Sequence, residues 1–217
     1  MGKINLLITD ANKNLASEKH MIIDAVSEAE KYVFPKLKIG WDINLLVTNR
    51  IYDMVIPEDG VSGNTYTSDF IVMNIDEKNV TKEKLYEMVC HELCHAARWG
   101  KNDEWCNRLF DLIIMEGIAT VFEKRAIDDK KYDGTFFIQT IDSRADEENQ
   151  KILKKLRPKL DDTEFDGRKI LVQPTDELLR WSGYSLGYYL VNKYLEKTGK
   201  KIEDVFALKY EDFRKAL

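Results

Sequence analysis

The spacing of hydrophobic and polar positions differs between the two parts of the chain. Short apolar runs dominate roughly the first eighty residues, interrupted by one helical pattern at 17–37. Three of these runs predict strands, at 4–10, 42–49 and 70–75. Beyond residue 80, apolar positions recur at helical spacing and predict helices at 81–99, 145–156, 176–199 and 202–208, with one long helix or a broken pair of helices at 104–127. We therefore predict an α+β fold, in which a mainly antiparallel or mixed sheet within about 1–80 is followed by a helical half, about 81–217.

Length and composition favour one domain and a soluble globular class. The chain has 217 residues, of which 44% are hydrophobic, and no stretch rich in Ser, Gly or Pro marks a linker. Its 38 acidic and 33 basic residues are spread evenly along the chain and give a net charge of -5. Because no basic stripe is present, the composition argues against a nucleic-acid partner.

The first residues and the cysteines predict a compartment. The apolar run Ile4–Ile8 is too short for the core of a signal peptide and for a membrane span. Three cysteines, Cys90, Cys94 and Cys106, cluster around one predicted helix, which makes a poor disulfide framework and is typical of a reducing compartment. We expect a cytoplasmic protein with no membrane partner, whose thiols have no chemical role.

The predicted helix 81–99 contains a pair of histidines in the stretch VCHELCHAARWG. At about 100° per residue its apolar stripe consists of Leu85, Val89, Leu93 and Ala96. His91 and His95 lie about 40° apart and roughly opposite this stripe, so they face either solvent or a cleft. Their i, i+4 spacing allows both imidazoles to bind one ion, while Glu92 can reach a water molecule without binding the metal.

A hydrolytic zinc site needs a third protein ligand, and Glu116 is the candidate. Twenty residues separate it from His95, which is enough for one turn and a returning helix. Its neighbours in LIIMEGIATVF are apolar, so its carboxylate is costly there unless it is paired or binds a metal. The alternative is a solvent-facing carboxylate on an amphipathic helix. Glu123 lies on a similar face about 10 Å further along the axis, too far to share the ion, and is either a surface group or a supporting one.

The three stretches HELCHAAR, MEGIATVF and GYSLGYYLV, in this order, resemble the gluzincin clan of metallopeptidases, which includes thermolysin and the zinc aminopeptidases. They look most like the YjaZ-type Zn-dependent proteases of that clan, over roughly residues 60–195. The resemblance implies one zincin-like domain spanning 1–217. It also implies one Zn²⁺ per chain, held by His91, His95 and Glu116, with Glu92 as the general base.

The resemblance extends to a tyrosine motif, with some departures. Zinc aminopeptidases use a tyrosine in a YxxG motif to stabilise the oxyanion, which implies that role for Tyr184 in YSLG and makes Tyr188, one turn further on, the reserve. The alternative for both is aromatic packing between helices. No GxMEN-like segment is present, and Thr120 stands where thermolysin-like enzymes place an aspartate that orients a histidine. The group that orients the histidines is therefore unassigned.

These features predict a zinc-dependent peptidase that acts on a peptide or protein. Clan members usually lay their substrate along an edge strand, for which 69–76 is the expected strand and 60–68 a mobile lip. The alternative is a zinc-binding, catalytically silent protease-like protein with a binding or regulatory role; a third reading is a helical interaction module without metal. Specificity would depend on loops such as 127–144, and the sequence gives no indication of oligomeric state.

Overall fold

The structure, a computed structural model, describes residues 2–11, 13–50, 55–102 and 105–217. The strands are β1 (Ile4–Ile8), β2 (Ile43–Thr48), β3 (Val61–Thr67) and β4 (Phe70–Ile75). The helices are α1 (Lys19–Leu37), α2 (Lys82–Trp99), α3 (Leu109–Lys130), α4 (Phe136–Asp142), α5 (Asp146–Leu156), α6 (Gly167–Leu171), α7 (Ser182–Thr198) and α8 (Ile202–Val205). Short 3₁₀ segments follow at Arg157–Lys159 and Tyr210–Ala216. The predicted α+β fold is confirmed.

The chain forms two compact units. The first consists of Met1–Asp103 and Phe122–Phe137, and the second of Glu104–Val121 and Ile138–Leu217. The first unit thus contains the whole sheet with α1 and α2, and the second contains α5 to α8. Helix α3 contributes residues to both.

The sheet of the first unit is mixed, with strand order β1-β2-β4-β3. β1 pairs with β2 in parallel, and β2 pairs with β4 in parallel, whereas β3 is antiparallel to β4. Parallel neighbours need a long crossover, which α1 provides between β1 and β2. The mixed alternative of the prediction is confirmed, and two of the three strand pairings are parallel.

The core of the first unit lies between the sheet and helices α1 and α2. In β2, Ile43, Leu45 and Val47 are buried while Asn44 between them is exposed, as the alternation of a strand requires. Helix α2 contacts α1, β3 and β4. The stripe predicted for α2 is buried, and all the remaining residues of the helix from 85 to 98 are buried as well. The face that carries the histidines is therefore covered rather than open to solvent.

Several helix boundaries differ from the predicted ones. Thr81 caps α2 as predicted, accepting a hydrogen bond from the Lys84 amide. α3 is one continuous helix that begins at Leu109, and the predicted start at residue 104 lies outside the described residues. α7 begins at Ser182 instead of residue 176, because Trp181 has a left-handed backbone (φ 62°) that cannot continue a right-handed helix.

In the second unit, α3 and α7 cross at a pair of glycines. A Cβ atom built on Gly117 would lie 2.6 Å from the Gly187 Cα, and one built on Gly187 would lie 2.9 Å from the Gly117 Cα. Side chains at either position would force the helices apart, so this close crossing requires glycine on both sides. α7 also packs on α5, α6 and the last 3₁₀ segment, and Ser185 donates a hydrogen bond to Asn149.

Candidate metal centre

His91 and His95 face one another on α2 in a buried environment. His91 is only 4% exposed and His95 7%, and their Nε2 atoms lie 3.1 Å apart. Two nitrogen ligands at ~2.0–2.1 Å from a tetrahedral zinc ion are roughly 3.3 Å apart. The two imidazoles are therefore already spaced for binding one ion.

Glu123 orients His91 from the neighbouring helix. Its Oε2 lies 2.8 Å from the His91 Nδ1, and both side chains are buried. When Glu123 is ionised, its carboxylate can only accept a hydrogen bond, so Nδ1 of His91 donates and the lone pair of the ring lies on Nε2, the atom that faces His95. Glu123 supplies the orienting group that the motif comparison left unassigned. It is a supporting residue, and the surface alternative for it is excluded.

Glu116 completes a cluster of three donor residues. Glu116 is 8% exposed, and the ligand atoms of His91, His95 and Glu116 all lie within 4.8 Å of one another. The alternative of a solvent-facing carboxylate is therefore wrong. Because Glu116 and Glu123 are seven residues apart in α3, about two helical turns, one face of this helix carries both carboxylates.

The chemistry of this cluster suits zinc. Two imidazole nitrogens and one carboxylate oxygen make up a frequent ligand set of catalytic zinc, and they leave a fourth position for water. A buried carboxylate is costly unless a cation or hydrogen-bond donors balance it. The buried cluster of His91, His95 and Glu116 is thus compatible with a zinc site.

Glu92 lies beside the histidines on α2, with its carboxylate against strand β3. The Thr65 hydroxyl lies 2.7 Å from the Glu92 Oε2 and 2.9 Å from the Glu92 backbone oxygen. Gly63, two residues earlier in β3, passes so close that a Cβ atom there would lie 2.6 Å from the Glu92 Oε1. The residue is 4% exposed, so β3 encloses the carboxylate that the sequence predicts as the general base.

A second buried carboxylate, Glu87, lies one turn before His91 on α2. Burial raises the pKa of Glu87 well above its usual value, and the charge of Glu123 raises it further. Two hydrogen bonds from Thr135, through its amide and its hydroxyl, act in the opposite direction. Burial therefore favours the neutral form of Glu87, and the charge of Glu123 adds to this effect.

The two predicted tyrosines lie one turn apart on α7, and both are half-buried. The Tyr188 hydroxyl donates a hydrogen bond to Asp142, at 2.7 Å. Tyr184 precedes Gly187 by three residues, and Gly187 crosses α3 at Gly117, the residue after Glu116. The glycine of the YSLG motif therefore has a packing role, which sets where this part of α7 lies on α3.

The predicted substrate strand is not at the edge of the sheet. Segment 69–76 contains β4, which lies between β2 and β3 and already has neighbours on both sides. The predicted mobile lip, 60–68, contains β3, a strand that pairs with β4 and has one register shift between Thr65 and Thr67. Both predictions were wrong for the same reason, because the polar residues of β3 hid a strand. In the described part of the chain, β3 is the terminal strand on this side.

The comparison with protein families identifies the chain. The family described as "Predicted Zn-dependent protease (DUF2268)" matches residues 20–215. The chain belongs to this family. Its match to the predicted Zn-dependent proteases covers most of the sequence, including the whole donor cluster, and supports a protease that depends on zinc. No curated protein and no solved structure matched the chain. Among the described residues, no helix is long and apolar enough to cross a membrane.

Proposed function

We propose that the protein is a zinc-dependent peptidase of the gluzincin type, which hydrolyses peptide bonds with Glu92 as the general base. The observation that carries this proposal is the buried cluster of His91, His95 and Glu116 on two helices, adjacent in sequence to an enclosed, separate carboxylate. The membership in a family of predicted Zn-dependent proteases supports it.

His91, His95 and Glu116 would hold one Zn²⁺ per chain. When bound, the ion would polarise the scissile carbonyl and lower the pKa of the attacking water. Glu123 contributes by keeping the proton of His91 on Nδ1, which presents Nε2 as the metal-binding atom.

Glu92 would move the proton during the reaction. Its carboxylate takes a proton from the water while the water oxygen bonds to the carbonyl carbon. When the C–N bond breaks, the Glu92 carboxyl group gives this proton to the leaving amine. The Thr65 hydroxyl lies by Oε2, so the proton would travel on Oε1.

Tyr184 would donate a hydrogen bond to the oxyanion, with Tyr188 as the reserve. The YSLG motif gives this order, and the Tyr188 hydroxyl donates a hydrogen bond to Asp142 at 2.7 Å. Tyr184→Phe is expected to lower kcat about 10²- to 10³-fold, the loss typical of an oxyanion donor. Tyr188→Phe is the matched control, expected to change kcat less than about threefold. The reverse order of effects would assign the role to Tyr188.

A peptide or protein substrate would pair with β3, which takes the place first assigned to 69–76. Main-chain hydrogen bonds to a terminal strand are a common way of binding extended peptides. Substrate peptides with N-methyl groups at alternate residues should show a raised KM when methylation removes a pairing amide. An equal KM for all methylated positions would exclude such pairing.

A cytoplasmic location remains part of the proposal. The odd number of cysteines, Cys90, Cys94 and Cys106, makes a poor disulfide framework and supports a reducing compartment. Fractionation of the cells that express the protein tests this directly, and recovery of the protein outside the cytoplasmic fraction would contradict it.

The decisive experiment compares Glu92→Gln with the wild type in zinc content and in peptide hydrolysis. The variant should retain zinc and lose about 10²- to 10⁴-fold in kcat, because Gln cannot accept the proton. Glu83→Gln, an exposed position on the same helix, is the control and should behave as the wild type. A Glu92→Gln variant that still cleaves would remove Glu92 from the mechanism. A zinc-loaded wild type that cleaves no peptide would favour the silent binding protein.

A further inference from the structure

Two residues of β3 contact the side chain of Glu92 from the same side. They are Gly63 and Thr65, which are two apart and therefore share a face of the strand. Both they and Glu92 belong to the first compact unit. The residues that concealed this strand from sequence-based prediction thus lie beside the Glu92 carboxylate of α2.

Gly63 makes room for the carboxylate. The three atoms nearest to a Cβ atom built on Gly63 all belong to the Glu92 side chain, with Cδ and Oε1 at 2.6 Å and Cγ closer still. No backbone atom is among these three. A methyl group at this position would therefore displace the Glu92 side chain while leaving the strand in place.

Thr65 holds one of the two carboxylate oxygens. Its hydroxyl has one proton and two acceptors within reach, the Glu92 Oε2 at 2.7 Å and the Glu92 backbone oxygen at 2.9 Å. The hydroxyl therefore contacts Glu92 both at its side chain and at its backbone, and Oε2 is the nearer acceptor.

We propose that Gly63 and Thr65 are positioning residues that fix the Glu92 carboxylate, with Oε2 held by Thr65 and Oε1 directed to the reacting water. This inference rests on the proposed role of Glu92. It adds two residues of strand β3 to the HELCH motif on α2 as parts of the catalytic site. The role proposed for the two residues is exerted through Glu92 and not through their side chains on the substrate.

The first test compares kcat, KM and zinc content of single variants. Thr65→Val keeps the shape but removes the hydroxyl, so kcat should fall about 10- to 100-fold, the range for a lost hydrogen bond to a charged group. Thr65→Ser should restore most of kcat. Gly63→Ala should lower kcat at least as much. KM and zinc content should stay near the wild-type values in every variant, since the change is confined to the base.

Two substitutions of the same type serve as controls. Gly40→Ala places a methyl group where no atom lies within 4 Å, and should leave kcat unchanged. Thr9→Val removes a hydroxyl that contacts the Val47 backbone oxygen instead of Glu92, and should also leave kcat unchanged. A general effect of removing a threonine hydroxyl would lower kcat in Thr9→Val as well, and this result would overturn the proposal.

The second test needs no activity and uses zinc-free protein. Gly63→Ala should lower the thermal midpoint by a few degrees when Glu92 is present, because the methyl group and the carboxylate compete for space. In a Glu92→Ala background the same change should be neutral or stabilising, since alanine costs less backbone entropy than glycine. This non-additivity reports the contact itself.

The two tests separate this proposal from the proposed function. Non-additive stability without any peptide hydrolysis by the wild type would support the contact and refute the peptidase. Additive stability effects, together with wild-type kcat in Gly63→Ala and Thr65→Val, would overturn the positioning role while leaving the peptidase intact.

Discussion

The contact between Glu123 and His91 leads to a prediction about zinc affinity. Glu123→Gln preserves the size of the side chain and one acceptor oxygen but removes the charge, whereas Glu123→Leu also removes the acceptor. The bond measures 2.8 Å, and both side chains are buried, so it has little competition from water. Loss of such a supporting group typically weakens metal binding about 10- to 100-fold, or about 1.4–2.7 kcal/mol.

We therefore expect the zinc Kd to rise about 10-fold in Glu123→Gln and about 100-fold in Glu123→Leu. The assay is a competition titration against a chromophoric chelator at neutral pH, combined with a check of folding by circular dichroism. Asp128→Asn, an exposed carboxylate on the same helix paired with Lys124, is the control and should retain the wild-type Kd. If both Glu123 variants fold and stay within about threefold of the wild-type Kd, the orienting role is wrong.

Two further predictions concern the stability of the two units. Partial burial opposes ionisation of Glu28, but hydrogen bonds led by those from Lys130 and Lys82 outweigh it and lower its pKa from 4.5 to about 2. Glu28→Gln should thus lower the free energy of unfolding by about 1–2 kcal/mol at neutral pH, after allowance for exposure. The difference from the wild type should disappear as the pH falls from 4.5 toward 2, and a pH-independent difference in urea unfolding would contradict this. Gly187→Ala should destabilise the protein by about 1–3 kcal/mol through its clash with Gly117, and unchanged urea unfolding would contradict that crossing.

Much of the architecture follows from local patterns. The apolar stripe of α2 and its Thr81 cap lie within one turn or a few turns of sequence, so helix geometry alone predicts them. The same geometry brings His91 and His95 together. Glu116 could be predicted as a ligand because a carboxylate among apolar neighbours is costly unless it is paired or binds a metal.

Other elements depend on contacts that are distant in sequence. Strand β3 lacks apolar alternation, since Gly63 and Thr65 are matched to the side chain of Glu92 and not to a hydrophobic core. Helix α4 lies in a segment that reads as a loop. It is anchored by Asp59, whose carboxylate accepts hydrogen bonds from two amides of its first turn, 77 and 78 residues further on. No window of local sequence contains such a partner.

The orienting role of Glu123 could be predicted only in part. Its spacing from Glu116 predicts that it does not share the ion, but a surface group and a supporting group were both compatible with that spacing. The choice between them depends on how closely α2 and α3 approach, which the sequence of either helix does not contain. The structure decides it through the 2.8 Å contact with His91.

The central claim, a zinc site built from His91, His95 and Glu116, is tested most directly by elemental analysis. Protein purified without chelator or added metal should contain about one zinc ion per chain, and Glu116→Ala should contain much less or bind it far more weakly. Absence of zinc from the wild type, even after titration with zinc at neutral pH, would contradict the site and with it the proposed peptidase.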